Sequence, residues 1–126
     1  MIDVTGLRVL IVDDDKWLVD ELRRRLTAAG CLVDGAGDGI EAIDKIDQAL
    51  PEVIVLDIML PGANGISLLH ELQSYSDTGM IPVIILSSSV EVADSKRLSP
   101  YGVTDVIDKA TMMPDDVVSA IRRSQA

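Results

Sequence analysis

Three uninterrupted apolar runs constrain the fold of this chain more than any other feature of its sequence. They are VLIV at residues 9–12, VIVL at residues 53–56 and VIIL at residues 83–86. Runs of this length without polar alternation are typical of strands buried on both faces, as in a parallel sheet covered by helices. Two weaker strand candidates occur at residues 31–33 and 103–107, so the sequence predicts five strands.

Between these runs, apolar residues recur at helical spacing. Residues 15–30 repeat leucine at every fourth position, with Asp15 as the candidate N-cap and Gly30 as the candidate end. Further helices are predicted around residues 40–46, 66–72, 91–98 and 117–121, of which residues 91–98 give the weakest pattern. Strict alternation of five strands with five helices predicts a doubly wound α/β fold. We expect one domain over residues 1–126, because the length suits one core and no linker interrupts it.

Charge and composition narrow the classes of partner. The formal net charge of −10 disfavours nucleic acid and anionic membranes, since both would repel the domain. Cations and basic protein surfaces are the expected partners. No apolar run approaches the roughly 20 residues of a membrane span, and residues 1–6 lack signal-peptide features. The single cysteine, Cys31, allows no internal disulfide, so we expect a soluble, cytoplasmic protein.

Polar side chains collect where the predicted strands end. In chain order they are Asp13, Asp14 and Asp15 after the first strand, Asp57 after the third, Ser87 after the fourth, and Asp108 and Lys109 after the fifth. Because parallel strands end at one edge of a sheet, these groups should converge. Converging carboxylates repel one another, and Mg²⁺ prefers such oxygen ligands. Asp57, flanked by apolar residues, is the best candidate for a nucleophile that carries a phosphoryl group, which Lys109 and Ser87 would contact.

Four motifs in this order resemble those of the receiver domains of two-component response regulators. They are Asp13-Asp14 after the VLIV strand, Asp57 within VLDIMLPGANG, PVIILS at residues 82–87, and GVTDVIDK at residues 102–109. The resemblance covers essentially the whole chain. It implies a flavodoxin-like fold, with five helices around a five-stranded parallel sheet in the order 2-1-3-4-5.

The resemblance also implies a role for each site residue. Asp57 would accept a phosphoryl group from a phosphohistidine of a histidine kinase or histidine phosphotransfer protein, while Lys109 and Ser87 would bind the phosphate. The implied Mg²⁺ ligands are Asp14, Asp57 and the Met59 backbone carbonyl, with Asp13 acting through a bound water. Phosphorylation would then switch the face formed by the fourth predicted helix, the fifth strand and the last helix. That face would bind a downstream protein target.

Two departures from the family pattern lie around Lys109. Ala110 follows it where the family usually has proline, often after a cis peptide bond. A cis Lys-Ala bond costs about 3 kcal/mol, so this peptide is either strained or trans. Val106 stands where a tyrosine or phenylalanine usually accompanies the switch, so coupling to the surface must use another route or be weaker.

Further departures concern the mouth of the site. Ser88 adds a hydroxyl where the family usually has a smaller residue. Met59 and Ser89 occupy the positions that tune dephosphorylation by water in the family. Because the Met59 side chain cannot readily orient a water molecule, we expect a moderately long-lived phosphoryl state.

Several functional alternatives stay open. The KATMMPDD segment at residues 109–116 resembles that of stand-alone receivers, which favours a single-domain regulator that is not an enzyme. A receiver cut from a larger DNA-binding regulator and a phosphorylation-independent adaptor are alternatives. A haloacid-dehalogenase-type phosphatase would also use Asp and Mg²⁺, and residues 13–15 fit its D-x-D motif. Trp17 stands where that motif needs Thr or Val, and the chain is short for that fold, so the phosphatase is the least favoured alternative.

Overall fold

The apolar runs form the centre of a five-stranded parallel sheet in the computed structural model, which describes residues 2–60, 65–88 and 101–126. The strands are β1 (Arg8–Val12), β2 (Leu32–Ala36), β3 (Val53–Asp57), β4 (Val83–Ser87) and β5 (Val103–Asp108). Their spatial order is β2-β1-β3-β4-β5, and every neighbouring pair is parallel. The predicted doubly wound, flavodoxin-like fold is therefore confirmed.

Four helices lie within the described residues. They are α1 (Lys16–Ala28), α2 (Gly39–Gln48), α3 (Gly65–Gln73) and α4 (Pro114–Ser124). The helix predicted around residues 91–98 lies outside the described part of the chain. Asp15 caps α1 as predicted, and Gly30 follows the end of α1 with φ +99°, a conformation that favours glycine. None of the described helices is long and apolar enough to cross a membrane.

The sheet separates two hydrophobic clusters, because successive strand residues point to opposite faces. In β1, Leu10 and Val12 pack with α2 and α3, whereas Val9 and Ile11 pack with α1 and α4. All residues of the central strands β3 and β4 are buried. Burial on both faces explains why these strands read as unbroken apolar runs.

The carboxyl ends of the strands bring the polar residues to one edge. Asp57 of β3 lies opposite Leu86 of β4, and Ser87 lies opposite Asp108 of β5. Asp13 follows directly after β1, which is the other neighbour of β3. The topology thus assembles residues from four strands along the same edge.

Candidate functional site

The turn after β1 presents two carboxylates. Asp13 is almost fully buried, with 1% of its surface exposed, whereas Asp14 beside it is exposed. The Asp13 Oδ1 atom accepts a hydrogen bond from the Asp15 amide at 2.9 Å. Asp15 in turn accepts from two amides in the first turn of α1, at 3.1 and 3.2 Å. These bonds fix the turn and hold Asp13 at the sheet edge.

Asp57, the last residue of β3, is only 5% exposed. Its Oδ1 atom accepts a hydrogen bond from the Met59 amide at 2.9 Å. The backbone here lies directly against the start of α3: the Gly65 amide donates to the Ile58 carbonyl at 3.1 Å. A Cβ atom built on Gly65 would lie 2.6 Å from Ile58 Cα and 2.9 Å from the Asp57 carbonyl oxygen. Glycine at this position therefore permits the close approach that supports Asp57.

Lys109 connects the two buried carboxylates. Its Nζ atom lies 2.8 Å from Asp13 Oδ2 and 3.3 Å from Asp57 Oδ2, and 21% of its side chain is exposed. The Lys109 amide donates to the Ser87 carbonyl at 2.9 Å, which continues the pairing of β5 with β4 beyond Asp108. The ammonium group is thus held by backbone pairing as well as by charge.

The electrostatic environment shifts two pKa values in this group. Burial raises the pKa of Asp13 above its usual 3.8, although the hydrogen bond from Lys109 opposes this effect. For Lys109, burial lowers the pKa, but the hydrogen bond and charge of Asp13 and the charge of Asp57 outweigh it. The net pKa of Lys109 is therefore raised above 10.5. Burial thus disfavours the negative charge of Asp13, whereas the two carboxylates favour the positive charge of Lys109.

Three carboxylates are placed to share a cation. One oxygen from each of Asp13, Asp14 and Asp57 lies within 4.8 Å of the others. Among the described residues, Lys109 is the single ammonium group in contact with these three carboxylates. Its one positive charge leaves two negative charges uncompensated. A hard divalent cation such as Mg²⁺, which prefers carboxylate oxygens and retains waters, fits both the donor set and the charge.

Ser87 and Met59 are the other predicted site residues within the described part of the chain, and both lie at the carboxyl ends of strands. Ser87 ends β4 and is fully buried, with Ser88 exposed beside it. The Met59 side chain is 56% exposed, and its amide bonds Asp57. Ser89 lies outside the described residues. The Mg²⁺ contact of the Met59 carbonyl and the movement of Ser87 stay predictions.

The loop after β5 resolves one alternative. No peptide bond among residues 2–60, 65–88 and 101–126 is cis, so the Lys109–Ala110 peptide is trans. The Asp108 side chain accepts a hydrogen bond from the Ala110 amide at 2.9 Å, and the Asp108 carbonyl accepts from the Met112 amide at 3.0 Å. Val106, in place of an aromatic residue, is half-buried against the cluster beneath α2 and α3.

Sequence reasoning did not assign structural roles to Asp108 and Gly65. Asp108 shapes the loop that carries Lys109. An aspartate often accepts a hydrogen bond from the amide two residues later in a turn, so this role could have been predicted from the sequence. Gly65 had a weaker signal, because glycine at a helix start is also an ordinary turn residue. Its contact with the Asp57 backbone depends on tertiary packing alone.

Comparison with known proteins identifies the relatives of this arrangement. The family model of the response regulator receiver domain matches residues 9–122. The response regulator MprA of Mycobacterium avium is 34% identical over 103 residues, which cover 82% of this chain and 44% of that protein. The chain therefore spans less than half the length of the curated relatives it matches.

Solved structures with the same fold include two response regulators. The chemotaxis response regulator CheY4 of Vibrio cholerae matches with a TM-score of 0.85 and 25% identity, over 95% of this chain and 99% of that chain. The response regulator TrrA of Thermotoga maritima, solved in complex with Mg²⁺ and BeF, matches with a TM-score of 0.79. Its identity is 23%, over 94% of this chain and 98% of that chain, so this likeness concerns the fold alone.

Proposed function

The chain belongs to the response regulator receiver domain family, and on that premise we propose that Asp57 accepts a phosphoryl group from a phosphohistidine. The donor is a histidine kinase or a histidine phosphotransfer protein, and the transfer depends on Mg²⁺. The observation that carries this proposal is the position of Asp57, buried at the sheet edge among two other carboxylates and the Lys109 ammonium. A carboxylate that only formed a turn would need neither a buried position nor contact with the Lys109 ammonium group.

In the proposed transfer, a carboxylate oxygen of Asp57 attacks phosphorus and forms an O–P bond. The P–N bond of phosphohistidine breaks, and its electron pair returns to the imidazole ring. Lys109 lies close enough to Asp57 to neutralise charge on the phosphoryl oxygens, and Ser87 stands at the same edge to donate a hydrogen bond. Positioning and charge neutralisation are the main demands of this reaction, and these side chains supply both.

Asp14 and Asp57 would hold the Mg²⁺ ion directly in this proposal, Asp13 would act through a bound water, and the Met59 carbonyl would be a further ligand. When bound, Mg²⁺ neutralises charge on the phosphoryl group. The TrrA receiver, which shares the fold and was solved in complex with Mg²⁺ and BeF, supports the choice of metal.

We further propose that the domain is a switch and not an enzyme that turns over a substrate. Phosphorylation adds charge and acceptor oxygens at the sheet edge and thereby changes a surface that binds a downstream protein. The net charge of −10 supports a protein partner and opposes direct binding of nucleic acid or an anionic membrane. We place this activity in the cytoplasm, because the single cysteine, Cys31, is free and suits a reducing compartment.

The test is incubation with Mg²⁺ and acetyl phosphate, followed by intact-mass spectrometry. The native protein should gain one phosphoryl-sized mass, and Asp57→Asn should gain none. Asp34→Asn is the matched control, because Asp34 is exposed on β2 and pairs with Lys45. A mass gain that survives in Asp57→Asn would reject Asp57 as the acceptor. No gain in any form would favour the phosphorylation-independent adaptor, and steady release of phosphate from a phosphomonoester would favour the phosphatase.

A further inference from the structure

A shallow apolar groove lies between α2 and α3, separate from the acidic edge. We call it the α2–α3 groove. Ile40 and the half-buried Ile43 form the exposed part of its apolar lining above the buried Leu68, and Asp44 and Glu71 stand beside them. Ile40 is 78% exposed although it is the second residue of a helix whose other isoleucines are buried or half-buried. Ile40 and Ile43 together form a continuous apolar surface rimmed by polar residues, an arrangement that marks contact sites.

The dimensions of the groove favour protein side chains over a small molecule. Its volume is about 220 Å³, below the roughly 300–1,000 Å³ of small-molecule sites. Ile40 and Ile43 lie one helical turn apart, and Asp44 follows on the same face of α2. A helix laid in such a groove presents aliphatic side chains at matching intervals of three and four residues.

The α2 side of the groove is negative. Asp44 is exposed there, and Lys45 is the one basic residue of α2. The Lys45 Nζ atom lies 3.3 Å from Asp34 Oδ1 on β2, on the side of α2 that faces away from α3. Its charge is therefore engaged with the sheet and does not neutralise the groove.

The α3 side repeats this arrangement. Glu71 is exposed beside the groove, and His70 is the one residue of α3 that can carry a positive charge. The His70 ring contacts the Tyr101 ring edge to face, with centroids 4.7 Å apart, just before β5 begins. Since β5 and β2 are opposite edges of the sheet, His70 and Lys45 are both directed away from the space between the helices.

We propose that the α2–α3 groove docks an amphipathic basic segment of a partner protein. Aliphatic side chains of that segment cover Ile40 and Ile43, and its lysines or arginines lie beside Asp44 and Glu71. A second copy of this chain is a poorer occupant, because it carries the same net charge of −10 and would bring acidic rims together. Charge complementarity thus selects the chemistry of the partner.

The probe is a synthetic peptide of about 14 residues with leucine at i, i+3, i+4 and i+7 and lysine on the other face. Titration into the ¹⁵N-labelled chain should shift the amide signals of Ile40, Ile43 and Glu71 most. A second peptide, with glutamate in place of every lysine, should leave them unchanged. Equal shifts with both peptides, shifts concentrated elsewhere, or no binding would each overturn the proposal.

Two pairs of variants separate the groove from general acidity. Ile40→Ser should weaken binding of the lysine peptide about fivefold or more. Met80→Ser alters another exposed residue, outside the groove, and should leave binding unchanged. Glu71→Lys should weaken binding of the lysine peptide about tenfold at low salt. Glu21→Lys on α1 makes the same change in net charge and should weaken binding less than about twofold. Equal losses within either pair would overturn the proposal. Dimerisation of the free chain that Ile40→Ser abolishes would instead assign the groove to a second copy.

Discussion

Replacement of Lys109 by methionine tests the charge arrangement at the sheet edge most directly. Methionine keeps an apolar stem but removes the ammonium group that lies 2.8 Å from Asp13 and 3.3 Å from Asp57. Both carboxylates are almost fully buried, so neither can gain full hydration in the variant. We expect Lys109→Met to lower the free energy of unfolding in the absence of divalent cations.

The structure sets the scale of this loss. At an effective dielectric constant of about 20, the attractions at 2.8 and 3.3 Å amount to about 6 and 5 kcal/mol before the cost of burying the ammonium. A second effect limits the loss, because Asp13 can bind a proton instead of staying charged. From its ordinary pKa of 3.8, protonation at pH 7 costs about 4 kcal/mol, and burial makes it cheaper. The expected loss is therefore about 3 kcal/mol, in the range for breaking a buried pair.

The assay is urea unfolding at pH 7, first with EDTA and then with saturating Mg²⁺. The loss should be about 3 kcal/mol with EDTA, or roughly 10 °C in Tm for a domain of this size. Mg²⁺ should recover most of it, because the cation compensates the same carboxylates. Lys45→Met is the control: its partner Asp34 is exposed, so the loss should stay below about 1 kcal/mol and be independent of Mg²⁺. Equal losses in both variants, or a loss in Lys109→Met that Mg²⁺ leaves unchanged, would refute this reasoning.

The same contacts set a pH dependence. Because the folded pKa of Lys109 is raised above 10.5, its stabilising contribution is present below that value and is lost as the pH rises through the higher folded pKa. At the acid end the contribution falls when the carboxylates protonate. The difference in unfolding free energy between native protein and Lys109→Met should therefore be largest near neutral pH. A difference that is constant from acid to alkaline pH would contradict an ionic origin.

Three further predictions follow from packing, burial and capping. Gly65→Ala should lower the free energy of unfolding by about 2 kcal/mol, because the new Cβ meets the backbone of residues 57–58, whereas Gly37→Ala, with no atom within 4 Å, should stay within about 0.5 kcal/mol in urea unfolding. Burial shields the Cys31 thiol and raises its pKa, so iodoacetamide should alkylate it about 100-fold more slowly in the folded chain than in urea. The alkylation rate of the folded chain should also keep rising at pH values where the rate of a free thiol has levelled off. Asp15→Ala should cost about 1 kcal/mol by removing two hydrogen bonds at the start of α1, as thermal unfolding would measure, and an unchanged Tm would show that solvent replaces the cap.

The sequence predicted the fold best at strands where burial on both faces restricts the residue types. Strands buried on both faces admit only apolar residues, so β1, β3 and β4 could be located from their composition, and the parallel sheet followed. Edge strands have one more exposed side and mixed composition. For this reason β2, predicted at residues 31–33, is found at Leu32–Ala36, and β5 extends one residue further than predicted, to Asp108.

Part of the site could not be predicted because it depends on local geometry. The order of the strands required Asp13, Asp57 and Lys109 to converge, and they lie in direct contact. By contrast, the sequence left the Lys109–Ala110 peptide undecided, because the strain of a cis bond depends on how the surrounding loop is held. The hydrogen bond from the Ala110 amide to Asp108 belongs to the trans form that the chain adopts.

The contact between Lys109 and Asp13 joins residues 96 positions apart, and this separation orders events during synthesis. At a translation rate of roughly 5–20 residues per second, Asp13 is made about 5 to 20 seconds before its ammonium partner. During the last 52 residues of that interval the nascent chain carries Asp57 as well as the acidic turn, without the ammonium group that later pairs with them. Convergence of these carboxylates before Lys109 is made would be opposed by their mutual repulsion. The charge-paired sheet edge can therefore form only after the fifth strand has left the ribosome.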